Sequence, residues 1–441
     1  MENPTRPSRP YRSLLANTGY SRVLFAGLGS TAGSAIASVC LVWIVFFATD
    51  SPLDVGLLGA AWLVAGVLFS VFGGTLVDRY DRRRLMIGAD LARAAAMGIV
   101  AVVLEFHGFN LITILVAYFL VGAFTTIFNP AEQSIVPSLV EAPLVADANG
   151  LVRSSRSALS FVGYAVGGVL IVSVGAVWGL AANAATFALS ALLLFGMTVR
   201  PIPALAGRAK PSYLTDVREG FRWLGKATGF LELTISATFF NFCSSLVGTF
   251  IVVFTTLLLH GSALVFALLL ALEVAGTGIG SLLVSRTRAV RWAGRAWTLG
   301  AGAGSGVAAV ALALFPSVPT AAACLFAIGF LGGFAGTAWL TAAQLLVPAE
   351  LQGRYFGIDN LGSIAIIPAA QIGGALLIES YGVRTTYLGV AVLWVLAGLV
   401  FLLPRALATL GYPPRESPSV TRRIGGDAVG RSESPEGNRS A

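Results

Sequence analysis

Apolar residues run through this chain in long stretches broken by short polar segments. About twelve such runs can be marked: 23–48, 53–77, 85–107, 109–129, 152–173, 176–198, 230–258, 262–285, 295–315, 318–346, 360–380 and 384–404. Each is close to or above the ~20 residues that a helix needs to cross the hydrocarbon of a bilayer. Strands of a membrane barrel would instead show ~10-residue segments of strict alternation, which the chain lacks. The pattern predicts an all-α membrane protein of twelve transmembrane helices.

The polar breaks carry the basic residues, and they do so unevenly. With the N-terminus placed inside, alternate segments hold 27 of the 29 lysines and arginines. The exceptions are Arg384 on the outside and Arg93 within the third run. The positive-inside rule then puts both termini in the cytoplasm and the chain in the cell membrane. The stretch 1–19 reads as a cytoplasmic tail, because run 23–48 is too long for the core of a cleavable signal.

Composition agrees with the pattern. Hydrophobic residues are 56% and charged residues 11%, where a soluble domain carries about 25% charged. The net charge of +8 sits in short clusters at predicted membrane edges, so it speaks for topology and against nucleic acid. Cys40, Cys243 and Cys324 all lie in apolar runs and form no CxxC pair, so neither a disulfide framework nor a metal site is expected. No phosphate-binding GxxxxGK[ST] loop or Ser/His/Asp set is present, so neither an enzyme nor a cofactor is expected.

Five regions follow: a tail 1–19, a six-helix bundle 20–198, a linker 199–228, a second six-helix bundle 229–405 and a tail 406–441. The linker includes an amphipathic piece, Asp216 to Leu224, expected to lie on the membrane surface. The last tail, rich in Pro, Gly, Ser and Arg, is expected to be disordered. The two bundles echo one another. Gln133-Ser-Ile-Val-Pro137 recurs as Gln344-Leu-Leu-Val-Pro348, and Gly167-Gly168 as Gly373-Gly374. Repeats of this kind place a substrate site where the halves meet, near mid-membrane.

The loop between the second and third runs reads Gly74-Thr-Leu-Val-Asp78-Arg79-Tyr-Asp81-Arg82-Arg83-Arg84. It resembles the signature loop G-x-L-x-D-R-x-[GD]-R-[KR] of the major facilitator superfamily. Asp90-Leu-Ala-Arg93, Asn129-Pro-Ala-Glu-Gln133 and Asn183-Ala-Ala-Thr-Phe187 are similar to the branch of macrolide, multidrug and enterobactin exporters. The resemblance spans roughly residues 20–405. It implies two pseudo-symmetric six-helix bundles, proton-coupled export, and docking of the loop against the eleventh helix. One departure stands out. Antiporters of the superfamily often carry G-P-x-x-G-G in the fifth helix, and here Gly163 is followed by Tyr164.

Asp78 ends its helix, where the dipole disfavours an anion, so it needs a cationic partner. Gly74, Asp78, Arg79, Arg82, Arg83, Asp90 and Arg93 are the candidate conformational latch; the plainer alternative is that the arginines only set topology. Glu273 lies midway along the eighth run, with no Lys or Arg expected at that depth. An ionised carboxylate is costly there. It is the candidate proton carrier; a permanently neutral, hydrogen-bonded glutamic acid and a contact for a cationic substrate are the alternatives. Gly276, Thr277 and Gly280 share its helix face, which is expected to point into the bundle.

Polar stripes mark candidate cavity walls: Ser34 and Ser38, Tyr118 and Thr125, Asn241 and Ser245, and Thr337. Ordinary packing by small residues is the competing reading. The cavity they outline is mostly apolar and poor in charge, which suits a small amphipathic substrate. The expected activity is proton-coupled efflux of drugs, macrolide-like compounds or siderophores by a monomer. An importer or lysophospholipid flippase on the same fold, or a membrane scaffold or sensor that transports nothing, remain open.

Overall fold

The computed structural model describes residues 10–141, 144–197, 230–286, 297–347 and 366–399. The linker 199–228, the tail 406–441 and the repeated segment after Val347 lie outside the described residues.

The described chain is helical and contains no strand. The order is α1 (Pro10–Ala16), α2 (Thr18–Thr49), α3 (Pro52–Arg79), α4 (Arg82–Phe106), α5 (Leu111–Leu139), α6 (Val145–Ser173) and α7 (Ala176–Phe195). The second half gives α8 (Phe230–Thr249), α9 (Ile251–Leu257), α10 (Ala263–Arg286), a π-helical stretch Trp297–Gly304, α11 (Ser305–Leu314), α12 (Val318–Leu346) and α13 (Ile367–Leu399).

Local chemistry sets the helix starts. Asn17, Ser51, Asp81, Asn110 and Ser317 each accept a bond from a backbone N–H three residues on, capping α2, α3, α4, α5 and α12. Short polar side chains satisfy the donors that a helix start leaves open. Pro52 then opens α3, where its missing N–H costs nothing.

Among the described residues nine helices are long and apolar enough to cross a bilayer, and α8 with α9, bent by 42°, makes a tenth. Gly382, with φ +79°, breaks α13 into two helices. The apolar stretch Trp297–Leu314 adds one more segment. Every one of the twelve expected runs thus has a helical counterpart, in whole or in part.

Two boundaries differ from expectation, and both matter. α5 does not stop at Asn129 but continues through Pro130 and Pro137 to Leu139. α6 begins at Val145, about two turns ahead of the apolar run that starts at 152. Proline removes one hydrogen bond from a helix, yet neighbouring helices hold α5 together across both prolines.

The two halves meet along two lines, α6 against α10 and α3 against α13. Two close approaches fix the register of the first line. Gly168 lies against Ala267, and Ser157 lies against Gly278. The separations match (eleven residues from 168 to 157, and from 267 to 278), so the helices run antiparallel in constant register. Glu273 therefore comes level with Val162.

The ends of the bundle differ. At the far end, opposite the start of α2, one hydrophobic core joins both halves, from Val39 and Phe46 to Phe254 and Tyr387, and it continues along the second half to Val284 and Val347. At that far end the Glu379 carboxylate accepts a bond from the Leu53 N–H at the start of α3, at 3.3 Å. At the near end a separate core, from Leu14 and Tyr20 to Phe128, Ile135 and Leu194, belongs to the first half alone.

Candidate functional site

A cavity of about 570 Å³ lies in the near half of the first bundle. α2 supplies Ser30, Thr31, Ser34 and Ser38; α5 supplies Tyr118, Thr125 and Asn129. Arg93 of α4, Arg156 and Tyr164 of α6 and Asn183 of α7 complete the wall, with Val274 of α10 reaching in from the second half. Of the predicted wall residues, Ser34, Ser38, Tyr118 and Thr125 border this cavity. Asn241, Ser245 and Thr337 do not; they are half-buried on α8 and α12.

The charge content of the cavity overturns one expectation. Arg156 counted with the cytoplasmic segments, and Arg93 was the one arginine placed within a membrane run. Because α6 starts at Val145, Arg156 sits eleven residues inside a helix. Its guanidinium pairs with Glu132 of α5 and keeps a side-chain exposure of 29%, toward the cavity. Glu132 is buried. The pair rests directly on the backbone of α2: a Cβ on Gly27 would come within 2.5 Å of Glu132 Oε1 and 3.2 Å of Arg156 Nη2. Three helices thus close around one ion pair, and the glycine makes room for it.

Asp90 and Arg93, one turn apart on α4, form a second buried pair. Asp90 also accepts from Ser190 Oγ of α7 at 2.6 Å. The Arg93 guanidinium lies between the rings of Phe128 and Phe187, 4.3 and 4.4 Å from their centroids. Aromatic faces on both sides replace part of the hydration that the cation lost. The pair ties α4 to α7 and borders the cavity. Among the described residues it makes no contact with the signature loop.

The loop arginines act locally. Arg82 donates to Ser134 O of α5 at 2.9 Å. Arg83 Nε donates to Leu194 O at 2.9 Å, and its Nη2 bonds Phe195 O at the end of α7. Helix C-termini carry open carbonyls and a partial negative charge, and these cations answer both. Gly74 and the side chains of Asp78 and Arg79 lie outside the described residues, as does the near-end start of the eleventh helix that the latch would dock against.

Glu273 lies in α10, ten residues from its start. Its backbone is pinned: the carbonyl accepts from Thr277 Oγ1 at 3.0 Å and lies against Gly329 of α12, where a side chain would have no room. Gly276 and Gly280 press against the α12 backbone at Phe326 and Phe330 in the same way. The small face of α10 thus points into the bundle, where it forms a tight packing seam with α12. The half-buried Glu273 carboxylate points elsewhere. It lies near Gly248 of α8 and within electrostatic reach of Tyr164 and Tyr387. No ion pair or hydrogen bond to it forms among the described residues.

Among the described residues the intramembrane chemistry is therefore asymmetric: two closed ion pairs in the first half, and in the second the Glu273 carboxyl without an ion pair. A family model for the Major Facilitator Superfamily matches residues 23–370. The chain belongs to that superfamily. Among its relatives is the multidrug efflux pump Tap of Mycobacterium tuberculosis, 25% identical over 91% of this chain and 97% of the pump. Macrolide efflux protein A of Streptococcus pyogenes is 28% identical over 48% of this chain and 54% of that protein. Solved structures share the superfamily fold. A bacterial homolog of the human lysosomal transporter Spinster aligns at TM-score 0.68 with 18% identity, covering 92% of this chain and 100% of that one. A D-xylose-proton symporter aligns at 0.69 with 12% identity, covering 90% and 99%.

Proposed function

We propose that this multi-pass membrane transporter exports amphipathic small molecules in exchange for protons. The observation that carries the coupling is Glu273: a carboxyl at membrane mid-depth, fixed in its backbone and without a cationic partner among the described residues. Charged groups inside a membrane mark function by default. One whose charge nothing offsets can take and release a proton as the site faces each side. The efflux direction draws on the named relatives, the multidrug pump and the macrolide efflux protein.

The near end is assigned to the cytoplasm by the arginine distribution, with both termini inside. The far-end core then closes the outer side, and the cavity belongs to a state that faces inward. Alternating access follows by rocking of the two six-helix units about the α6–α10 and α3–α13 lines. The latch role of the signature loop belongs to the opposite state. The protein works as a monomer, without cofactor, on a small amphipathic substrate.

Inside-out vesicles test this reading. Substrate should accumulate inside when a proton gradient is imposed, and nigericin should abolish the accumulation. Glu273→Gln should fail to accumulate substrate under the same gradient. Accumulation that survives both treatments contradicts proton coupling, and accumulation only in right-side-out vesicles contradicts export.

A further inference from the structure

The cavity holds two arginines that a purely mechanical wall does not need. Burying an ion pair seldom stabilises a protein more than a well-packed apolar pair would, and in a membrane the cost rises. A Leu–Phe contact would hold α5 on α6. The arginines also retain unused donors. A guanidinium carries five N–H groups in a rigid fork. Arg156 bonds Glu132 through Nη2, and Arg93 bonds Asp90 through Nη2. The Nε of each has no partner. Arg93 is only 4% exposed, and both side chains border the cavity.

Part of the rest of the wall is already engaged, although the Ser30 hydroxyl has no partner and Asn129 and Asn183 also line the cavity. Thr31 donates to Gly27 O at 2.8 Å, Ser38 to Ala35 O at 2.9 Å and Thr125 to Val121 O at 2.6 Å. Those hydroxyl protons are spent on their own helices. The two acids nearby, Asp90 and Glu132, are each held by an arginine. Among the described residues, the near end of the cavity is thus rich in donors and has no acid to spare.

Building on the transport reading, we infer that Arg156 and Arg93 form an acceptor-binding pole, and that the transported amphiphile presents a carboxylate or carbonyl oxygen to them. Charge-assisted bonds of this kind are the strong ones. The pole also sets a length. Arg156 lies six residues below Val162, the residue level with Glu273, which is roughly 9 Å along the helix. A ligand with an acceptor at one end and a basic group about 9 Å away meets both the arginines and Glu273.

The test is equilibrium binding to purified protein in nanodiscs, with no gradient present. The probes are three dansyl-labelled alkyl chains of equal length, ending in a carboxylate, a primary amide or a trimethylammonium group. The carboxylate should bind about tenfold tighter than the trimethylammonium, the worth of one charge-assisted bond, with the amide between. The double variant Glu132→Gln/Arg156→Gln, which removes the pair without leaving a lone charge, should erase the ranking. Glu132→Gln alone, which frees Arg156, should tighten the carboxylate further. Equal or better binding of the trimethylammonium probe overturns the inference, as does an unchanged ranking in the double variant. The wild-type ranking decides if the double variant does not purify. A protein that ranks the probes as expected but moves no protons keeps this inference and sinks the proton-coupled reading; the reverse result does the opposite.

Discussion

The two halves of this transporter handle intramembrane charge in opposite ways. In the first half every described acid at depth has a fixed partner: Asp90 with Arg93 and Ser190, Glu132 with Arg156. In the second half Glu273 has a fixed backbone and an open carboxyl. A paired charge holds helices in place and resists titration, because removing either partner strands the other. An unpaired carboxyl at the same depth has nothing to strand. The contrast teaches where a mobile proton can reside, and it separates the parts of the site that must stay still from the part that must change state.

Glu273→Gln breaks the contrast outright and carries the largest expected effect. Gradient-driven efflux should vanish, while expression and melting temperature stay near wild type, because no partner is left unpaired. A variant with lost efflux and a collapsed melt would instead make Glu273 structural. Glu132→Leu attacks the opposite side. It strands the Arg156 guanidinium and should cost up to about 3 kcal/mol, less than a fully buried pair because Arg156 reaches the cavity. Thermal unfolding in detergent measures it, and adding Arg156→Leu should recover most of the loss.

Gly27→Ala sharpens the same point without touching a charge. Its methyl group meets the ion pair from α2, and overpacking of this kind costs about 2 kcal/mol. A melt unchanged from wild type would mean that the pair can move aside. Tyr164→Phe has the smallest expected effect. It removes one hydroxyl that lies against Ser38, worth about 1 kcal/mol. The fold should persist, and the number of protons moved per substrate should change if the phenol shares in the coupling. Tyr164→Phe that behaves as wild type in both respects would limit Tyr164 to packing.

Much of the architecture was legible because its causes are local. Long apolar runs and the polar breaks between them mark where the helices lie. Glu273 was legible for the same reason, as a single acid inside an apolar run. The ion pair of Glu132 and Arg156 was not. Pro130 resembles a helix end, and only packing carries α5 past it, so the residues beyond read as loop. Arg156, four residues into the run 152–173, was counted with the cytoplasmic edge, but α6 starts seven residues before that run, at Val145, and carries Arg156 deeper into the helix. The face of Gly276 and Gly280 was legible as one that points into the bundle, and only the position of α12 shows which helix it packs against. A signal was present for Glu132 and Arg156: they are opposite charges near the facing ends of consecutive runs.

The central claim is that the Glu273 carboxyl carries the exchanged proton. Its most direct test is proton movement across proteoliposomes loaded with pyranine, recorded as substrate is added to wild type and to Glu273→Gln. The account predicts a substrate-dependent proton flux in the wild type that is absent in the variant. An equal flux from the variant would contradict it.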